Sequence, residues 1–221
     1  MSFEQDPYIA PDAAGALLLT IDMQNDFTLA GAPGEVAGTA AVVPNVARLC
    51  AGFRAAGRPI VHLVRFYGES GDDAELCRKR KIEQGWKVVR PGSPGAELVD
   101  ELTDELTNAR LDVPVLLDNQ PQKIGEQEWV LYKPRWGAFY RTVLEPMLSR
   151  MRVNTVVVCG CNFPNCPRAT VYEASERDLR VVLVSDAVSG LYDRGREELE
   201  AIGVWVAGTE RCLEWLRGAS V

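Results

Sequence analysis

Six short apolar runs, separated by helical stretches and loops, constrain this chain more than any other feature of its sequence. They are Gly15–Ile21, Pro59–Val64, Trp129–Tyr132, Thr155–Cys159, Arg180–Val184 and Val204–Ala207. A strand with one wet face alternates apolar and polar residues, whereas a nearly unbroken apolar run suits a strand covered on both faces, as in a parallel sheet. Helical spacing is expected over Val42–Ala56, with Gly57 just beyond it, and over Ala96–Leu106, Ala138–Met151, Pro167–Asp178 and Arg194–Ala201. Thr209 is expected to cap a last helix reaching about Arg217. Asp112–Gln127 carries Pro114, Pro121 and Gly125 and reads as an extended insertion. Alternation of strand and helix implies right-handed crossovers. The expected fold is α/β: three layers, with a mostly parallel six-stranded sheet and helices on both faces. No repeat or linker interrupts residues 1–221, so one domain is expected.

Charge narrows the range of partners. The net charge is −7, and a protein that neutralises phosphates needs a basic face. The densest basic run, Arg78 to Lys81, follows Asp72, Asp73 and Glu75 and reads as a solvated surface helix. A nucleic-acid partner is not expected. No window approaches the ~20 apolar residues of a membrane span, and no basic start precedes an apolar stretch as in a signal peptide. A cytoplasmic location, no membrane partner and six thiols rather than a disulfide framework are the expectation.

In open α/β sheets, ligands bind beyond the carboxyl ends of the strands. Three reactive residues stand there: Asp22 after the first strand, Lys133 after the Trp129 strand, and Cys166 in the turn after TVVVC. Pro167 marks a helix start at Cys166, where the helix dipole favours a thiolate, and Lys133 would favour it further. Asp22 could take the thiol proton, and the Gly160–Cys166 loop could offer backbone N–H groups to an oxyanion. Singly, each residue has a plain alternative: a buried small thiol, a loop carboxylate, a solvated lysine. His62, the one histidine, sits mid-strand and reads as a packing residue, which leaves no base for a Cys-His or Ser-His triad. A metal module on Cys159, Cys161 and Cys166 has irregular spacing for zinc and lacks a fourth ligand.

The same residues carry a resemblance. Ile21-Asp22-Met23-Gln24-Asn25-Asp26-Phe27, then Lys133 with Gly137-Ala138-Phe139, then Cys159-Gly160 through Cys166 with Arg168-Ala169-Thr170 and Ala174, resemble three motifs of the isochorismatase-like cysteine hydrolases. Val182–Gly190 is similar to the strand that follows in that family, and the likeness spans roughly Ala16 to Gly208. The resemblance implies a Rossmann-like six-stranded parallel sheet, with Asp22 as general base, Lys133 as its cationic partner and Cys166 as nucleophile. It also implies a cis peptide between Cys161 and Asn162 that turns the Asn162 N–H, with that of Cys166, toward an oxyanion.

Relatives acting on isochorismate lack the cysteine, so Cys166 argues for amide rather than vinyl-ether hydrolysis. The Asp-x-His metal site of nicotinamidases has no counterpart after the second strand, and no metal or cofactor is expected. Phe27, Trp136 and Phe163 are candidates to stack on substrate, and Arg65, Arg135 or Arg168 to hold a carboxylate. The function expected is cysteine-dependent cleavage of a C–N bond in a small amide or ureide through a thioester, in a homodimer or homotetramer. The alternatives are an inactive scaffold of the same fold and, behind it, a vinyl-ether hydrolase of the isochorismatase type.

Overall fold

The computed structural model describes residues 6–103, 106 and 109–218. One sheet contains β1 (Ala16–Ile21), β2 (Ile60–Val64), β3 (Gln122–Gly125), β4 (Glu128–Tyr132), β5 (Thr155–Gly160), β6 (Arg180–Val188) and β7 (Trp205–Ala207). Their spatial order is β3-β4-β2-β1-β5-β6-β7. All neighbours are parallel except β3, which pairs antiparallel with β4. The six expected strands are present. The seventh, β3, lies in the stretch read as an extended insertion, where a four-residue edge strand with one buried side chain leaves little apolar signal.

The two faces of the sheet separate by the period of two along each strand. Leu18, Ile60, Val64, Val157 and Val182 pack under α2 (Thr39–Ala55) and α8 (Thr209–Gly218), against Val43, Val46, Phe53, Cys212 and Leu216. Leu17, Leu19, Val61, Val156 and Leu183 face the other way. They meet Leu144 and Met147 of α5 (Leu144–Met151), Val171 and Ala174 of α6 (Cys166–Ser175) and Leu199 of α7 (Asp193–Glu200). Three further helices, α1 (Asn25–Thr28), α3 (Leu76–Glu83) and α4 (Val113–Leu117), lie in the connections.

Tertiary pairing overrides local propensity in three places. The helix expected over Ala96–Leu106 is replaced, within the described residues, by two 3-10 turns, Pro94–Ala96 and Asp100–Leu102. The backbone between them is claimed by the loop after β1: Leu98 bridges Gln24, Asn25 N–H donates to Glu97 O and Val99 N–H to Met23 O. The helix expected from Ala138 starts only at Leu144, because Arg141 takes φ 54° and Glu173 accepts the Phe139 N–H. Thr209 begins α8, but the cap is Asp186, whose Oδ1 accepts both the Thr209 N–H and its hydroxyl.

Candidate active site

The chain runs outward from β1 through β2 to β4, then returns to the other side of β1 at β5, so the order reverses between β1 and β5. Such a switch point opens a crevice at the carboxyl ends of the strands. Asp22 leaves β1 there with its N–H on Leu63 O and its backbone at φ 52°, a left-handed conformation that costs a non-glycine residue of order 1 kcal/mol. Across the crevice, β5 ends on Gly160 at φ 112°, and the Cys161 N–H donates to Ile21 O at 2.8 Å. Lys133 follows β4, two strand spacings from β1 (about 10 Å). Its side chain crosses the end of β2 to place Nζ 2.9 Å from Asp22 Oδ2. Nζ also donates to Arg135 O at 3.3 Å. Cys166 is the first residue of α6 and only 5% exposed. The fold thus gathers Asp22, Lys133 and Cys166 from three strand ends.

Burial alone would discharge the Lys133 ammonium, but the Asp22 carboxylate beside it outweighs that and holds its pKa above the ordinary lysine value. Cys166 shifts upward too: burial is the main cause, the Asp22 carboxylate adds to it, and Lys133 opposes it. This corrects the expectation of a thiolate held low by the helix start and Lys133. Desolvation and the nearby carboxylate outweigh both. Lys133 occupies Oδ2 of Asp22, while among the described residues Oδ1 is buried without a hydrogen-bond partner. An unsatisfied buried carboxylate oxygen costs free energy, and here it leaves a proton acceptor in the site.

The loop after β5 presents unused donors. Cys161 N–H is taken by Ile21, Phe163 N–H by Ser189 and Asn165 N–H by Asn162. Among the described residues the Asn162 amide has no backbone acceptor, and the Cys166 amide opens α6, where the first N–H groups lack helical partners. The expected cis peptide is absent: among the described residues no peptide bond is cis, so Cys161–Asn162 is trans. A non-proline cis bond costs ~2.5–4 kcal/mol.

Most of the remaining candidates are engaged by residues outside the triad. Phe27 sits in the core, and Phe163 is fully buried, edge-on to Tyr192 at 5.4 Å. Neither offers a face to a ligand, because apolar packing claims both rings. Arg168 is ion-paired at 2.6 Å with Glu198 of α7 and bonded to the Tyr192 hydroxyl. Trp136, 37% exposed, lines a cavity of about 740 Å³ with Ala74, Leu76, Arg135, Tyr140 and Glu173. This cavity borders the loop after Lys133, but none of the three triad side chains lines it. Arg65 is buried, with Nε 3.4 Å from Glu75 and its guanidinium 4.1 Å from the Tyr67 ring centroid. Arg135 donates to Asp73 O and Pro134 O.

Three other observations bear on the sequence-based expectations. Gln24 clamps the site from below, accepting from Arg65 N–H and donating to Arg65 O and Ala96 O. Its place two residues after Asp22 was the available signal. The basic run is a helix, but only Arg80 and Lys81 are exposed, while half-buried Arg78 bonds the Tyr67 hydroxyl. His62 is committed to Thr20 at 2.7 Å and Glu128 at 2.6 Å. Among the described residues no group of three or more His, Cys, Asp or Glu is placed to hold a metal ion, and no helix is long and apolar enough to cross a membrane. All six cysteines are free.

A family model described as the isochorismatase domain matches residues 16–112 and 115–210. A probable inactive nicotinamidase of Arabidopsis thaliana is 34% identical over 175 residues, covering 78% of this chain and 79% of the relative. A maleamate amidohydrolase of Pseudomonas putida is 28% identical over 186 residues, covering 83% and 75%. An isochorismatase family protein of Desulfovibrio vulgaris has a solved structure that matches with TM-score 0.77 at 33% identity, covering 92% of this chain and 98% of that one. The matched stretches run through all three strand ends that build the site, and the chain belongs to the isochorismatase family.

Proposed function

We propose that the protein is a cysteine-dependent amidohydrolase that cleaves a C–N bond in a small amide or ureide. One observation carries this reading: Asp22, Lys133 and Cys166 converge from three strand ends, with Asp22 Oδ1 unpartnered. The maleamate amidohydrolase named above supports the reaction class.

The steps follow from the charges. Cys166 rests as a thiol, so its proton must leave as the sulfur attacks. Asp22 Oδ1 accepts it, and Lys133 stabilises the anion produced. Carbonyl oxygen becomes an oxyanion, which the Asn162 and Cys166 amides would receive. Ammonia or an amine departs with the proton held by Asp22, leaving a thioester on Cys166. Water, deprotonated by Asp22, attacks the thioester, and the acid leaves as the thiol is restored. Within this proposal Trp136 is the one aromatic candidate still exposed to a ligand, the substrate is a small molecule with no nucleic-acid or membrane partner, and the assembly is a homodimer or homotetramer.

The test is ammonia release from a panel of carboxamides and ureido acids by wild type and Cys166→Ala, with thioester trapping by mass spectrometry. Turnover in the wild type, with a mass adduct on Cys166 that C166A loses, is expected. Equal turnover in C166A would sink the proposal. A second reading, a non-catalytic member of the family, draws on the 5% exposure of Cys166 and on the name of the Arabidopsis relative. It predicts neither adduct nor ammonia.

A further inference from the structure

The loop that follows Lys133 is sparsely held. From Arg135 to Phe139, among the described residues, a single backbone amide donates a hydrogen bond: Phe139 N–H, to Glu173 Oε2 at 2.8 Å. Pro134 has no amide to give. Side chains supply the other ties, Arg135 to Asp73 O and Thr142 to Ala138 O. The same loop gives Lys133 its second partner, Arg135 O, 3.3 Å from Nζ. The first is Asp22 Oδ2 at 2.9 Å. Lysine carries its ammonium on a flexible four-carbon stem, so the resting place of the charge depends on both acceptors staying put.

Glu173 comes from the helix that starts with the thiol. It lies seven residues after Cys166 in α6, two turns on and on nearly the same face. Its carboxylate sits directly on the loop: a Cβ on Gly137 would fall 2.2 Å from Glu173 Cδ. Gly137 has no positive φ, so the space the carboxylate fills, and not the backbone conformation, calls for glycine. The Phe139 N–H is the one hydrogen bond to that carboxylate among the described residues. Nucleophile and lysine are therefore joined by a second route, outside the sheet. It runs from Cys166 along α6 to Glu173, across to Gly137 and Phe139, and back along the loop to Lys133.

We propose that Glu173 is a positioning residue: by holding the Gly137–Phe139 backbone against α6, it fixes where the Lys133 ammonium stands relative to Asp22 and Cys166. The inference deepens the proposed reaction and rests on Lys133 acting on the Cys166 thiol. Glu173 works through the loop alone.

Iodoacetamide alkylation of Cys166 at fixed pH, followed by peptide mass spectrometry, reads the thiolate population without a substrate. The variants are Glu173→Ala, Glu173→Gln and Gly137→Ala, with Val46→Ala as a stability control in the core on the other face of the sheet. E173A frees the loop. G137A keeps the glutamate but pushes its carboxylate off the loop, and because the end of a flexible side chain can yield, this variant is expected to fold. E173Q loses the charge but keeps an oxygen for the Phe139 N–H, which separates the bond from the charge. Lys133 opposes the upward shift of the thiol, so a displaced ammonium raises the thiol further, and half a pKa unit leaves about one third of the thiolate. Labelling is expected to slow about threefold or more in E173A and G137A, and to stay near wild type in E173Q and V46A. Crystal structures of E173A and G137A are expected to show the Lys133–Arg135 bond opened beyond about 3.5 Å.

Wild-type or faster labelling in E173A, slowing of E173Q to the E173A rate, or equal slowing in V46A overturns the inference. If Cys166 resists the reagent in every protein, the crystal structures decide, and a Lys133–Arg135 bond kept in both variants overturns it. Ammonia release by the wild type, with labelling unchanged in E173A, would defeat this inference alone. Slowed labelling in E173A, with no ammonia released from any amide or ureide, would defeat the proposed hydrolysis alone.

Discussion

Cys166 is a residue at which local sequence and tertiary surroundings pull in opposite directions. A helix start and a lysine favour a thiolate, yet burial and Asp22 push the thiol pKa upward. Asp22→Asn therefore has two expected effects of opposite sign. Removing the carboxylate lowers the thiol pKa, so iodoacetamide should label Cys166 at lower pH than in wild type. Removing the base should cut hydrolysis by ~10²–10⁴-fold. Labelling unchanged with pH, measured by peptide mass spectrometry, would show that Asp22 does not act on the sulfur. Lys133→Met leaves a buried carboxylate without its cation, and breaking such a pair costs about 3–5 kcal/mol. Urea unfolding of K133M measures this, and a loss under about 1 kcal/mol would contradict it. Asp22, Lys133 and Cys166 were legible in the sequence because strand ends and reactive side chains are local features. The half-burial of Arg78 was not: its position in a run of four cations suggests solvation, and only the fold brings the Tyr67 hydroxyl to it.

At the level of elements, the ends of β1 and β5 set how closely Asp22 and the Cys166 loop approach. A Cβ on Gly160 would lie 2.3 Å from Ile21 O, at a φ of 112° that L residues rarely adopt. Backbone on both sides cannot yield, so Gly160→Ala should cost more than ~3 kcal/mol or abolish folding. Gly31 also has positive φ, 76°, but nothing lies within 4 Å of its Cβ position. Gly31→Ala should cost only about 1–2 kcal/mol. Urea unfolding of the two variants separates collision from conformational strain, and equal losses would refute the collision. The long apolar strands were readable from their runs, since burial on both faces demands them. Elements whose hydrogen bonds go to distant backbone were not. The Ala96–Leu106 stretch has helical spacing, but Glu97 O accepts from the Asn25 N–H and the Val99 N–H donates to Met23 O. β3 exists because β4 offers it an edge.

Across the whole molecule, a buried polar chain ties four elements together. Thr20 of β1 meets His62 of β2, His62 meets Glu128 of β4, and Arg54 of α2 holds both Glu128 oxygens at 2.8 Å. Burial alone would raise the Glu128 carboxyl, but the hydrogen bonds from His62 and Arg54 prevail and bring it from 4.5 to about 2. Because the folded pKa is the lower one, its contribution is present above pH 4.5 and is lost as pH falls through about 2. The contribution at neutral pH is at most about 3 kcal/mol. Glu128→Gln should lower stability at pH 7 and flatten the dependence between those limits, as read by urea unfolding at several pH values. A parallel slope in both proteins would place the acid sensitivity elsewhere.

The apolar period and the order of strands were enough to yield a parallel α/β sheet, and hence the edge at which Asp22, Lys133 and Cys166 must emerge. These follow from short-range rules, because burial on two faces and the handedness of crossovers act within one unit of chain. Packing between distant segments decided the rest: the upward shift of the Cys166 thiol, the oxygen of Asp22 that Lys133 leaves open, and the commitment of Arg168 and Phe163 to neighbours. Each depends on which groups from remote parts of the chain share a low-dielectric site. Desolvation and charge pairing there are set by ångström distances that no local pattern encodes.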